Sequence, residues 1–385
     1  MRIFVLGCGS TGGLLAQLLR RQGHKVWCGD RNPERARHFL DRRMVCLAAN
    51  ARNHRSIVEA SRGCHLLVNT APAVFNDTVI RAALRLNVHY LDMAAHLTPN
   101  PFKSEQLAYH GDFARRGRLA LINAGVAPGL TNLLVARCAS FLSSVDRVQI
   151  RLFEETESDD PISTWSGDVA YDEAISKPRI YRQGRFRLAR RFGEAEWFRF
   201  PQPIGEVRVV LAAQDEVATL PYFINMNDLD VKIGGNEIDR LHRWYREGKL
   251  RPSRKRIARH FPDTVSPRVV AEMIRRGKLR NARFSVAVCV SGRKGRRFLE
   301  RRRICLFPSL YKLRQMRLLA TPIAFAAAQS AAVFVQNFPA HLDGVYPPEA
   351  LSAEVRKCIM RDMRRRGFRF RRQTIVLGNG RPSVK

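Results

Sequence analysis

The sequence predicts an α/β chain, a doubly wound parallel sheet followed by a second, α+β domain built mainly on an antiparallel sheet. Three observations carry this. Over the first 125 residues short apolar or β-branched runs alternate with longer helical ones. A glycine-rich turn, GCGSTG at residues 7–12, joins the first run to the first helix. From about residue 146 the strand-like runs lengthen and alternate, the pattern of half-buried antiparallel strands.

Taken in order, RIFVLG (2–7), KVWCG (25–29), MVCLA (44–48), HLLVN (65–69), VHYLD (88–92) and RLALIN (118–123) read as strands, with segments such as LLAQLLRRQ and TVIRAALRLN at helical spacing between them. After AGVAPGLTN the rhythm changes: Pro128 and Gly129 make a turn, Thr131 is the expected N-cap, and TNLLVARCASFL continues as a helix. RVQIRLF (147–153), EVRVVLAAQ (206–214) and FSVAVCV (284–290) read as strands, and SGRKGRR as a hairpin turn into FLERRRICLF. The acidic run EETESDD (154–160) and the basic run SRKRIARH (253–260) are expected to be solvated loops or faces. Domain bounds follow at 1–125, 126–315 and 316–385.

Bulk properties narrow the class. A chain of 385 residues, 45% hydrophobic and 26% charged, has the composition of a globular protein with more than one core. Its eight cysteines are scattered singly, without metal-ligand spacing, so neither a disulfide framework nor a structural zinc site is expected, and a reducing, cytoplasmic setting is. No basic n-region or cleavage site accompanies the first short apolar run, so no secretory signal is expected. ATPIAFAAAQSAAVFV (320–335) is too short for a bilayer and reads as a buried helix, so no membrane partner is expected. The net charge of +33 rests on 56 arginines against 11 lysines, and residues 251–320 carry 21 Lys or Arg against 3 Asp or Glu. Such a surface attracts phosphates or nucleic acid, although no recognition motif accompanies it.

Gly7, Gly9 and Gly12 stand in GxGxxG spacing directly after a hydrophobic strand and open a helix. The first makes the tight turn, the second admits a pyrophosphate to the backbone, and the third packs helix on strand, leaving the amides of Ser10 and Thr11 at the positive helix end. Asp30 ends the second strand, where its carboxylate can accept both ribose hydroxyls of an adenosine. This is a Rossmann dinucleotide cradle. Asp30 repels a 2'-phosphate and argues for NAD, whereas Arg31 can pair with one and leaves NADP open.

Further motifs carry a resemblance. VNTAPAVFNDTVIRAAL followed by VHYLDMAAH, then INAGVAPGLTNLL, and later ATPIAFAAAQSAAVFV followed by DGVYPPEAL, resemble the saccharopine dehydrogenase family in its short bacterial branch, which includes lysine 6-dehydrogenase. The resemblance implies an NAD(P)-dependent oxidoreductase acting at a carbon–nitrogen bond of an amino acid or an opine-like secondary amine. It further implies a C-terminal segment that folds back on the nucleotide domain, and a homodimer formed through the second domain's sheet. The arginine-rich tract 251–317 is more basic than the family pattern, and the stretch 151–200 matches only in outline.

Ligands of a doubly wound sheet sit beyond the carboxyl ends of its strands. That nominates Asn69, Thr70 and Ala71 near the cofactor, and Asn123, Pro128 and Gly129 for the substrate. Asp92 and His96 are the titratable pair at a strand end, expected to orient an amine and relay its proton. Each has a bland alternative, His96 as a core or surface histidine and Asp92 as a helix cap. Trp165 and Ser166, in a polar loop, are candidates to close over the substrate, and Arg179 and Arg182 to bind its carboxylate. Cys8 reads as a small spacer. The competing reading is a dinucleotide-binding protein without catalysis, whose basic second domain holds an anionic partner such as nucleic acid.

Overall fold

The computed structural model describes residues 1–96, 100–163, 167–250 and 264–378. Six strands, β1 (Arg2–Leu6), β2 (Lys25–Asp30), β3 (Cys46–Ala48), β4 (Leu66–Asn69), β5 (His89–Asp92) and β6 (Leu119–Leu121), lie where the apolar runs predict them. They pair parallel in the order β3-β2-β1-β4-β5-β6. The order reverses between β1 and β4, so a crevice opens beyond Leu6 and Asn69. β1 and β4 are buried on both faces, which is why they read as unbroken apolar runs.

The second sheet contains β7 (Ser144–Ser158), β8 (Arg179–Arg182), β9 (Arg185–Leu188), β10 (Glu196–Arg199), β11 (Glu206–Leu211), β12 (Asp228–Gly234), β13 (Leu279–Lys294) and β14 (Arg297–Leu306). Its pairings are antiparallel except for β12 on β7, so the sheet is mixed. The expected hairpin turn joins β13 to β14. The acidic run departs from expectation: Glu154 to Ser158 belong to β7, paired with β13, and only Asp159 and Asp160 are exposed. Arg283 of β13 reaches Glu155 and Glu157 at 2.8 and 2.7 Å, so cross-strand ion pairs hold that acidic end in the sheet. The basic run 253–260 lies outside the described residues.

Thr131 is not the cap of its helix. Gly129, at φ +127°, stands at the N-cap of Leu130–Ala139 and its amide donates to Asn132 Oδ1 at 3.0 Å, while Thr131 is buried in the first turn. A left-handed cap calls for glycine, and here a Cβ would also collide with the backbone of Gly125.

The alanine-rich segment is the buried helix expected, Pro322–Gln336, capped by Thr321 and packed on helix Ser10–Arg21 of the nucleotide sheet. Among the described residues no helix is long and apolar enough to cross a membrane. The chain then adds β15 (Gly344–Tyr346) to β6 as a seventh parallel strand. Helix Ala353–Arg365 follows, and β16 (Arg369–Gly378) returns to the second sheet beside β14. The C-terminal segment thus ties both sheets together.

Candidate active site

A cleft of about 680 Å3 runs over the glycine turn, lined by Gly7, Gly9, Ser10, Thr11 and Gly12, with Asp30 and Arg31 at one end and Thr70 and Ala71 at the other. The three glycines divide the work as their spacing implies. Gly7 has φ +93°, and a Cβ there would stand 2.7 Å from the Ala71 amide. A Cβ at Gly12 would strike the Gly7 carbonyl, whereas at Gly9 it would meet nothing within 4 Å. The open face at Gly9 is the approach a pyrophosphate requires, so these residues fit a dinucleotide.

Asp30 is held by two amides: Cys8 N–H donates to Oδ2 at 2.8 Å and Asn32 N–H to Oδ1 at 2.9 Å. Each oxygen keeps a lone pair for a ribose hydroxyl. Arg31, Arg35 and Arg52 line the same end, which provides cations within reach of a 2'-phosphate. At the other end Thr70 Oγ1 donates to the carbonyl oxygens of Leu6 and Gly7 at 2.9 and 2.5 Å, stitching β4 to the turn.

Thr11, Thr70, Ala71 and Pro72 also border a second cavity, a chamber of about 190 Å3 adjoining the cleft. Met93, Leu152, Ile233, Phe284 and Ile323 supply apolar wall, and Glu154, Glu173, Gln214 and Asp215 supply polar wall from the second domain. Helix Gly167–Ile175 serves both cavities, with Tyr171 and Asp172 on the cleft and Glu173 on the chamber. Burial, with the carboxylates of Asp215 and Glu154 close by, pushes the Glu173 carboxyl well above its ordinary range. Burial also raises Asp215, opposed by Arg179 and by the Ala95 amide that donates to it at 3.1 Å. Among the described residues, no Lys or Arg borders the chamber.

The residues nominated from sequence divide. Pro128 borders the chamber and Thr70, Ala71 and Asn69 line it, Thr70 and Ala71 on the side shared with the cleft, but Asn123 and Gly129 border neither cavity. Asn123 is wholly buried, its amide donating to Asp92 Oδ1 at 2.7 Å and neither side-chain polar atom hydrogen-bonded among the described residues. Asp92 lies a layer behind the chamber, with Gln106 Nε2 donating to its other oxygen at 2.9 Å, and burial lifts its carboxyl to about 7. His96 is half-buried, its amide donating to Glu105 Oε1 at 3.1 Å. Burial lowers its imidazole, with Asp172 opposing and Arg179 reinforcing. Arg179 stands in the field of Asp215 and Glu173. Arg182 is committed elsewhere, to Glu194 at 2.9 Å and Asp230 at 3.0 Å, so it leaves the substrate candidates. Trp165 and Ser166 lie outside the described residues.

The sequence reading missed Glu154, Glu173 and Asp215, which come from three separate segments and meet only through packing. It also missed the knot beneath them, where the two most distinctive motifs touch. Thr131 Oγ1 donates to Glu216 Oε1 at 2.8 Å, and Asn132 Nδ2 donates to Glu349 Oε1 at 3.0 Å and Thr219 Oγ1 at 3.2 Å. GVAPGLTN and GVYPPE are therefore two sides of one buried polar joint between the sheets.

A glycine cradle at the switch point of a doubly wound sheet, beside a mostly apolar chamber, defines the class as a dinucleotide-binding Rossmann protein. Residues 3–121 match the family described as Saccharopine dehydrogenase NADP binding domain. Over the whole chain the fold is similar to apo histidine-tagged saccharopine dehydrogenase (L-Glu forming) from Saccharomyces cerevisiae, at TM-score 0.70 and 10% identity, covering 97% of this chain and 99% of that one. A looser likeness, at TM-score 0.42 and 12% identity over 92% of this chain and 95% of the other, is to a mutant meso-dapdh with DAP from Clostridium tetani. The family match falls on the nucleotide half, in line with the resemblance that the motifs carry, and the whole-chain likeness is one of fold.

Proposed function

We propose that the chain catalyses NAD(P)-dependent oxidation at a carbon–nitrogen bond of an amino acid or opine-like amine, with lysine and saccharopine as the reference substrates, or the reductive reverse. The observation that carries this reading is that the acidic chamber adjoins the dinucleotide cleft, with Thr11, Thr70, Ala71 and Pro72 lining both. A bound nicotinamide would accept the hydride, and the protein's part is to orient the amine, exclude water and take a proton.

In this account the substrate ammonium enters between Glu173 and Asp215. Both carboxyls are raised by burial, and an arriving cation offsets that burial and favours their ionised forms. One of them accepts the ammonium proton, leaving a neutral amine from whose adjacent carbon a bound nicotinamide would take the hydride. The apolar wall of Met93, Leu152 and Phe284 keeps bulk water from the reacting carbon. His96, held neutral by burial, is the next acceptor outward, and Asp92 is a positioning residue that fixes the loop after β5 through Asn123 and Gln106. NAD is the expected cofactor from Asp30, with NADP admitted by Arg31, Arg35 and Arg52. The test is nicotinamide absorbance with NAD and NADP across lysine, saccharopine and related amines; a chain that binds dinucleotide tightly and turns over none of them would instead be a binding protein.

A further inference from the structure

Four arginines gather where the C-terminal segment docks on the second sheet. Arg303 of β14 and Arg372 of β16 are direct partners in the antiparallel ladder, a like-charged pairing that ordinarily destabilises a sheet. The next ladder pair on that face is Cys305 with Phe370, and the Arg364 guanidinium of helix Ala353–Arg365 lies 5.9 Å from the Phe370 ring centroid. Arg301, two positions before Arg303, lies over Phe141 at 4.0 Å, just past the end of helix Leu130–Ala139, which packs on β14. Arg137 precedes Phe141 by four residues, a helical turn of about 6 Å, much as Arg303 follows Arg301 by two strand positions, which sets Arg137 beside Arg303.

Among the described residues no acid answers these charges. Arg303 is 5% exposed, and neither its Nε nor its Nη1 has a hydrogen-bond partner there; the buried Nε of Arg137 lacks one too. The nearby carboxylates are committed to other arginines: Glu300 to Arg302, and Asp362 to Arg361 at 3.2 Å and Arg365 at 3.5 Å. Cys138 brings no counter-charge, because burial raises its thiol. Burial, reinforced by the charges of Arg137 and Arg372, lowers the Arg303 guanidinium, and burial with the same two neighbours lowers Arg364. An enclosed cation with unmet donors is costly unless an anion joins it.

We propose that Arg137, Arg303, Arg364 and Arg372 form a phosphate-binding site, with the anion seated on Arg303 and held at the rim by Arg364 and Arg372. Guanidinium groups from two helices and two strands present donors from several directions. A tetrahedral dianion meets such a set, whereas a planar, singly charged carboxylate meets one or two of its members. Arg364 and Arg372 are exposed, so the anion enters from solvent. None of the four lines the cleft or the chamber, so the site is distinct from the glycine cradle. A phosphate held there clamps helix Ala353–Arg365 and β16 to β14, and its effect is on the stability of that joint. This inference is independent of which amine is oxidised.

The experiment is thermal unfolding of the full chain in sodium phosphate and in sodium chloride at matched ionic strength and neutral pH, with glycerol phosphate in parallel. Phosphate should raise the melting temperature by about 2 °C or more, in a concentration-dependent way that chloride does not reproduce. Arg303→Met should abolish that rise and, in chloride, melt above the unsubstituted protein, since an enclosed unpaired charge has gone. Should it fail to fold, Arg364→Gln combined with Arg372→Gln, both at exposed positions, decides in its place and should need at least about tenfold more phosphate for the same rise. Gly9→Val combined with Arg31→Ala, which alters both ends of the cradle, should keep the rise. A rise with inorganic phosphate alone assigns the free ion, and an equal rise with glycerol phosphate assigns a phosphate ester. No rise beyond that in chloride, an undiminished rise in Arg303→Met or in the rim variant, or loss of the rise in the cradle variant would each overturn the proposal.

Discussion

Replacing Glu216 by Gln should stabilise the protein at alkaline pH and leave it nearly unchanged in acid. Glu216 is wholly buried; one oxygen accepts from Thr131 and the other has no hydrogen-bond partner among the described residues. Burial first, then the neighbouring Asp215 and Glu349, lift its carboxyl from the ordinary 4.5 to about 7. A raised folded-state value means that the protonated form is the native one. Its contribution is whole below 4.5 and is lost as pH rises toward 7, above which the loss is constant. At 1.36 kcal/mol per unit the loss is about 1 kcal/mol at pH 5 and about 3 kcal/mol at pH 8.5. Glutamine is the shape of the protonated acid, keeps an oxygen for Thr131 and never ionises. Urea unfolding of both proteins at the two pH values measures the difference. An equal effect of Glu216→Gln at both pH values, or destabilisation that grows with pH, would refute the reasoning.

Other expectations follow from the site. A Cβ at Gly9 meets no neighbour within 4 Å but stands in the pyrophosphate approach, so for Gly9→Val dinucleotide affinity should fall at least about thirtyfold while the melting temperature holds; calorimetry and fluorescence titration read the two separately. Arg31→Ala combined with Arg35→Ala should weaken NADP about tenfold with NAD little changed, measured as a ratio of dissociation constants. Glu173→Gln should lower amine turnover by about 100-fold with dinucleotide affinity intact, in steady-state assays beside the same titration.

The nucleotide half was legible because its evidence is local. β1, β2, β4 and β5 are short apolar runs, and the cradle, its acid and its helix follow within thirty residues of the start. β15, a strand of only 3 residues, has no periodicity to detect, and it joins the sheet from more than 200 positions beyond β6. The acidic run was misread for a physical reason: charge density suggested a loop, whereas Arg283 on the paired strand compensates Glu155 and Glu157 and leaves Glu154 facing the chamber. Thr131 looked like a cap because its type suits one, but the left-handed Gly129 two residues earlier had already taken that place. Glu173 and Asp215 could not be singled out among 34 acidic residues, since their raised carboxyls are products of tertiary burial. Arg182 shows the converse, a plausible carboxylate ligand already bound within its own sheet.

The central claim, that the acidic chamber serves a dinucleotide bound in the glycine cradle, is tested most directly by mixing the purified chain with NAD or NADP and an amine panel headed by lysine and saccharopine, and following nicotinamide absorbance. The account predicts reduction of the dinucleotide with at least one of these amines, lost in both Gly9→Val and Glu173→Gln. Tight dinucleotide binding with no reduction on any amine, together with salt-dependent retention on nucleic acid, would contradict it.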